Sequence, residues 1–180
     1  MINFLKSLFR KKQTPKRIEI DDSGSGALYG GVIILVTDGK NDFYREIPLK
    51  IFNIKDKKKR SASVQKNIYK IIRKGIRKLN AKKEATEIFI CQGNVFDFAE
   101  KELKKQKYII KRGQIKGRTN DLAEEIFHKL LKEKYNIKTY NHKDYKGENL
   151  RQYATLKNRR DFKNVKQSAR GVKEIETFGE

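Results

Sequence analysis

"IEIDDSGSGALYGGVIILV", residues 18–36, sets two adjacent acids and four glycines between two β-rich runs. Arg17 to Ile20 and Gly31 to Thr37 read as strands, and "TDGKND" after them is a turn rich in Asp, Gly and Asn. In "REIPLKIF", residues 45–52, Ile47, Leu49 and Ile51 alternate with Glu46, Pro48 and Lys50, which predicts a third strand with one buried face. Pro48 marks it as an edge strand, because proline cannot donate to a ladder. Three strands joined by short turns make an antiparallel meander.

Beyond the meander the pattern alternates between helix and strand. Ser61 or Ser63 is placed to cap a helix whose apolar stripe is Val64, Ile68, Ile71, Ile72, Ile76 and Leu79. "TEIFIC", residues 86–91, is a continuous β-rich run suited to a central strand. "FDFAEKELKKQ" reads as a helix and "KYIIK" as a fifth strand. Thr119 or Asn120 then caps a helix with Leu122, Ala123, Ile126, Phe127, Leu130 and Leu131 on its apolar face. The expected architecture is α/β, a mixed five-stranded sheet in the order β-β-β-α-β-α-β-α flanked by helices.

Charge narrows the partner. The formal net charge is +22, which favours a polyanion such as nucleic acid, RNA, DNA or a hybrid of the two. The excess is concentrated: residues 1–17 hold six basic and no acidic side chains, 55–83 thirteen against one, and 138–173 eleven against three. On the first helix Lys66, Lys70, Arg73, Lys74, Arg77 and Lys78 share the face opposite the apolar stripe. No acid neutralises them there, so this face is a candidate phosphate-binding surface. The rest of the chain is net acidic, and Asp21-Asp22 lies within it.

Other classes are excluded by spacing. No apolar run approaches the roughly 20 residues of a membrane span, so no membrane partner is expected. Ile2, Leu5, Leu8 and Phe9 fit one face of a short helix or arm. The single cysteine, Cys91, rules out an internal disulfide, suits a reducing cytoplasm and reads as a small buried apolar residue. Gly24, Gly26 and Gly30 imitate a dinucleotide fingerprint, but a strand follows where that fingerprint needs a helix N-terminus. Ser23 and Ser25 lack the spacing of a nucleophile elbow.

"DDSGSGALYGG" looks like the first motif of type 2 ribonucleases H, and the element order over roughly residues 17–135 is that of the ribonuclease H-like fold. The resemblance implies a magnesium- or manganese-dependent nuclease. It makes Asp21 and Asp22 metal ligands and Gly24, Ser25 and Gly26 the loop that contacts the nucleic-acid backbone. "CQGN" echoes a family segment with Gln92 at an acid position, and Gln114 falls in the region of another family aspartate. Two-metal cleavage requires several converging carboxylates. Asp97, Asp121, Glu124 and Glu125 are therefore the candidates to complete the catalytic set, with Asp121 and Glu125 as further metal ligands. His128 follows Glu124 by four positions on the same helix. "NHKDYKGEN", residues 141–149, resembles another family segment and makes Tyr145 a substrate contact; Tyr140 and Tyr153 are further aromatics available for stacking.

The sequence thus divides into a basic N-terminal arm (1–17), a ribonuclease H-like domain (18–137) and a basic C-terminal extension (138–180). Hydrolysis of phosphodiester bonds is the leading expectation. The alternative is a non-catalytic nucleic-acid-binding protein on the same fold.

Overall fold

β1, Lys16–Ser23, is the centre of the molecule. Its inward residues Ile18 and Ile20 are fully buried on one side, while Asp21 and Ser23 are buried on the other, so the strand has no solvent face at its C-terminal half. The computed structural model describes residues 16–137 and 164–166. Within them β2 (Val32–Thr37) pairs antiparallel with β1, and β3 (Asp42–Ile47) pairs antiparallel with β2. β4 (Thr86–Cys91) runs parallel to β1, and β5 (Ile109–Gly113) parallel to β4. The sheet is five-stranded and mixed, in the order β3-β2-β1-β4-β5.

The two faces carry different helices. α2 (Lys57–Lys78) and α3 (Asp97–Lys105) cover the side onto which Ile18, Ile20, Ile34, Val36, Ile88 and Ile90 project. α4 (Arg118–Tyr135) covers the other, where Phe127, Leu131 and Tyr135 meet Leu28, Tyr29 and Ile33. No described helix is long and apolar enough to cross a membrane. The α/β class and the helix-flanked mixed sheet agree with the sequence pattern.

Several boundaries differ for local reasons. Pro48 ends the third strand instead of sitting inside it, and a single turn, α1 (Leu49–Phe52), buries Leu49 and Phe52. β3 remains an edge strand. α2 starts earlier than the serines suggest. Asp56 is its cap, its carboxylate accepting from the Lys59 N–H at 2.8 Å, so the lysine-rich run 57–60 is helical. α4 begins after Gly117 without a side-chain cap; Thr119 is buried and its hydroxyl donates to Glu19 at 2.5 Å. β1 extends to Ser23, which makes Asp21 and Asp22 strand residues and not turn residues.

A further departure lies in the C-terminal extension, part of which docks on the domain. Lys166 N–H donates to the Leu28 carbonyl at 2.7 Å, and Gly30 N–H to the Asn164 carbonyl at 3.0 Å, so residues 164–166 pair with the chain just before β2. The amphipathic pattern Ile2, Leu5, Leu8 and Phe9, like Tyr140, Tyr145 and Tyr153, lies outside the described residues.

Close approach of α2 to the sheet depends on Gly75. A methyl group there would meet Val36 Cβ at 2.8 Å and a Phe43 ring carbon at 2.9 Å. Gly75→Ala is expected to lower stability by about 1–3 kcal/mol through overpacking, read as a shift in the urea midpoint. Lys74→Ala, at the exposed neighbouring position, should leave that midpoint within about 0.5 kcal/mol of its starting value.

Candidate metal centre

β1, β4 and β5 are parallel, so their C-terminal ends share one edge of the sheet. Such an edge is where open α/β sheets place their ligands. Asp21 and Asp22 lie there just before Ser23, the last residue of β1, and Cys91 ends β4 one residue beyond the Ile20–Ile90 pair. One carboxylate oxygen from each Asp and the Cys91 sulfur lie within 4.8 Å of one another. This is the one such His, Cys, Asp or Glu cluster among the described residues.

Asp21 is 4 % exposed and Asp22 is partly buried. The Asp22 N–H donates to Asp21 Oδ1 at 2.9 Å, and the Cys91 thiol donates to the same carboxyl group. Burial still dominates and raises the Asp21 pKa above the ordinary carboxylate range, with the negative charges of Glu124 and Glu19 adding to it. Burial likewise pushes Asp22 up to about 6, against a hydrogen bond from Ser25 and the attraction of Lys166; Asp21 and Glu124 push in the same direction as burial. The Cys91 thiol rises to about 11, first from burial and then from the charge of Asp21. The thiol therefore keeps its proton at neutral pH and faces Asp21 as a hydrogen-bond donor.

α4 runs alongside β1: Thr119 meets Glu19, Phe127 lies under Gly24, and the charge of Glu124 raises both aspartate pKa values from outside the Asp21–Asp22–Cys91 cluster. The other candidate acids are placed differently. Asp97 is exposed at the start of α3 and pairs with Arg112 at 3.5 Å, where Glu100 also holds the guanidinium. Asp121 and Glu125 are exposed on α4, and neither enters the Asp21–Asp22–Cys91 cluster. Gln92 and Gln114 are exposed, and His128 is exposed on α4 beside the Phe127 ring.

The glycine loop is a tight turn. Ala27 N–H donates to the Gly24 carbonyl at 3.1 Å, and Gly24 has φ +84°, a conformation that side chains resist. A methyl group on Gly24 would stand 2.3 Å from the Phe127 ring. Beneath this turn lies Lys166, 1 % exposed, whose ammonium donates to the carbonyls of Gly24 and of Ala27, the latter at 2.9 Å. Its pKa falls to about 7 because burial disfavours the charge more than Asp22 and Glu46 support it.

Cys91 and Lys166 are the two members that sequence reasoning missed. The position of Cys91 at the end of the central-strand run was a usable signal. Lys166 was one lysine among eleven basic residues of the C-terminal segment and carried none.

The basic residues Lys66, Lys70, Arg73, Lys74 and Arg77 are exposed on α2, on the opposite face of the sheet from α4, and none forms an ion pair with a described residue. Arg73, Lys74 and Arg77 line a shallow groove with Tyr69 and Lys70. No protein-family model matches the chain, and no curated protein shows significant sequence similarity to it.

Raised carboxyl pKa values have a consequence for stability in metal-free protein. The folded state holds the Asp22 proton more tightly than the unfolded chain does, so stability falls as pH rises from the ordinary carboxylate pKa through about 6. Asp22→Asn removes that loss. Its melting temperature in chelator should exceed the wild type's at pH 7, by an amount equivalent to about 1–3 kcal/mol, and the advantage should vanish near pH 4.

Proposed function

We propose that the chain is a ribonuclease H-like, divalent-metal-dependent nuclease that hydrolyses phosphodiester bonds in RNA, DNA or a hybrid, acting in the cytoplasm. The observation that carries this reading is the convergence of Asp21 and Asp22 at the C-terminal end of the central strand, with Glu124 acting on both from α4. The chain order of the principal elements supports it as well.

The donor set fits a hard cation. Two carboxylates whose pKa values are raised by burial and by neighbouring negative charge gain most from a divalent ion, and oxygen donors suit magnesium or manganese. Asp21 and Asp22 would hold it, with Glu124 as the third acid. The Cys91 thiol serves as a hydrogen-bond donor that orients Asp21. A bound ion would supply Lewis-acid stabilisation of the phosphodiester and lower the pKa of an attacking water. The Gly24–Ala27 turn, with no side chain at Gly26, lets a nucleic-acid backbone approach the acids, while the bare Gly24 makes room for the Phe127 ring. The basic face of α2 attracts and retains the polyanion.

Gln92 and Gln114 favour a second reading, a nucleic-acid-binding protein without catalysis, because neither brings charge to the edge where the acids lie. Cleavage decides between them. Single-stranded, duplex and hybrid substrates incubated with manganese should be cut by the wild type. Chelator should abolish the cutting, and Asp21→Asn should reduce it by at least about a hundredfold, the loss expected when a group that stabilises the transition state is removed. Binding that persists in chelator, with no cleavage of any substrate under any metal, would establish the second reading.

The α2 face makes a separate prediction. Replacing Lys70, Arg73 and Lys74 together by Ala should weaken binding of all three substrates alike. It should also make the slope of log K against log salt shallower by about 2–3 units, measured by fluorescence anisotropy.

A further inference from the structure

The C-terminal segment Asn164–Lys166 contributes the one buried ammonium among the described residues, and it is spent on the turn that follows the acidic pair. Burying an ammonium is costly unless its donors are satisfied. Lys166 makes no ion pair with a described residue; its Nζ instead takes the Gly24 and Ala27 carbonyls and stands 5.5 Å from the Phe52 ring centre and 6.0 Å from that of Phe127. Those two carbonyls bracket the turn. Gly24 follows Ser23, the last residue of β1, so the turn begins two residues after Asp22 of that strand. Main-chain bonds from Lys166 to Leu28 and from Gly30 to Asn164 fix the segment to the far end of the same loop. The turn is therefore held at both ends by residues more than a hundred positions away in sequence.

We propose that Lys166 is a positioning residue for the metal centre: by clamping the Gly24 and Ala27 carbonyls it holds the turn in the shape that keeps Asp22 at the site and leaves the loop open to a nucleic-acid backbone. The centre is complete only when Asn164–Lys166 is docked. The functional half of this inference rests on the nuclease reading; the clamp itself does not.

The test uses the full chain with Lys166→Met, which keeps the length and apolar stem of the side chain and removes its donors, and Lys166→Arg, which restores a cation. Hydrogen exchange followed by mass spectrometry should show residues 24–30 of the Met variant exchanging about tenfold faster, with β2 and β4 unchanged. KM for a fluorescein-labelled RNA–DNA hybrid should rise about fivefold or more, an effect of lost positioning, and Arg should recover part of it. A purely structural lysine would lower the apparent kcat through the folded fraction and leave KM and loop exchange alone, which overturns the proposal. If the Met variant does not fold, wild-type exchange decides. The Gly30 and Lys166 amides must then open with one common protection factor, and independent opening refutes the clamp. Should the wild type bind the hybrid without cutting it, the nuclease reading fails, and the hybrid Kd replaces KM: weaker binding by Lys166→Met supports the clamp and equal binding rejects it. A wild type that does neither ends the nuclease reading and the functional half of this inference, and the exchange of residues 24–30 alone then decides the clamp.

Discussion

Carboxylates at the end of a strand covered on both faces are the constraint on which the rest of this structure depends. Ile18 and Ile20 place β1 in the core beneath α2 and α3, while Asp21 faces the α4 side at 4 % exposure. Burial of such charge is unfavourable unless donors, a proton or a cation compensate it. The molecule offers weak compensation of its own. The Asp22 N–H and the Cys91 thiol serve Asp21, and Ser25 serves Asp22, yet both pKa values stay raised and Glu124 adds a further negative charge. An arrangement that leaves acids electrostatically strained at the ligand-binding edge of a sheet is what a cation site requires before the cation arrives.

The loop after β1 shows how tightly backbone and distant chain are matched. Gly24 adopts a positive φ above the Phe127 ring, and α4 can lie this close to β1 only because no side chain intervenes. Lys166 fills the space beneath the turn, with its donors used by main-chain carbonyls and its ammonium beside two aromatic rings. Its charge also lowers the cost of ionising Asp22. Loop shape and site electrostatics thus share one residue.

The two faces of the sheet divide the work. α4 carries Glu124, whose charge acts on both aspartates, whereas α2 sets Lys66, Lys70, Arg73, Lys74 and Arg77 on the opposite side without acidic partners among the described residues. Separating the cationic surface from the acidic centre avoids the internal ion pairing that would neutralise both. On the proposed reading, a long-range attraction for polyanions and a local site for cations would then occupy different faces.

The β-rich runs of β1, β2 and β4 and the 3.6-residue stripe of α2 were legible in the sequence, because residue type and periodicity report burial directly. The sequence also determined the acidic pair, the glycine turn and the basic face, since each is a local string. Boundaries were less legible. Asp56 outcompeted Ser61 and Ser63 as the cap of α2, and Pro48 ended a strand whose alternation ran past it into α1. Only the tertiary structure decided the membership of the site. Sheet register set Cys91 beside Asp21, the path of α4 brought the charge of Glu124 to bear on both aspartates and left Asp121 and Glu125 exposed, and Arg112 paired with Asp97. Lys166 came from the far end of the chain. The physical reason is that local patterns encode which residues are buried, whereas a site is made by long-range contacts between elements that no short window contains.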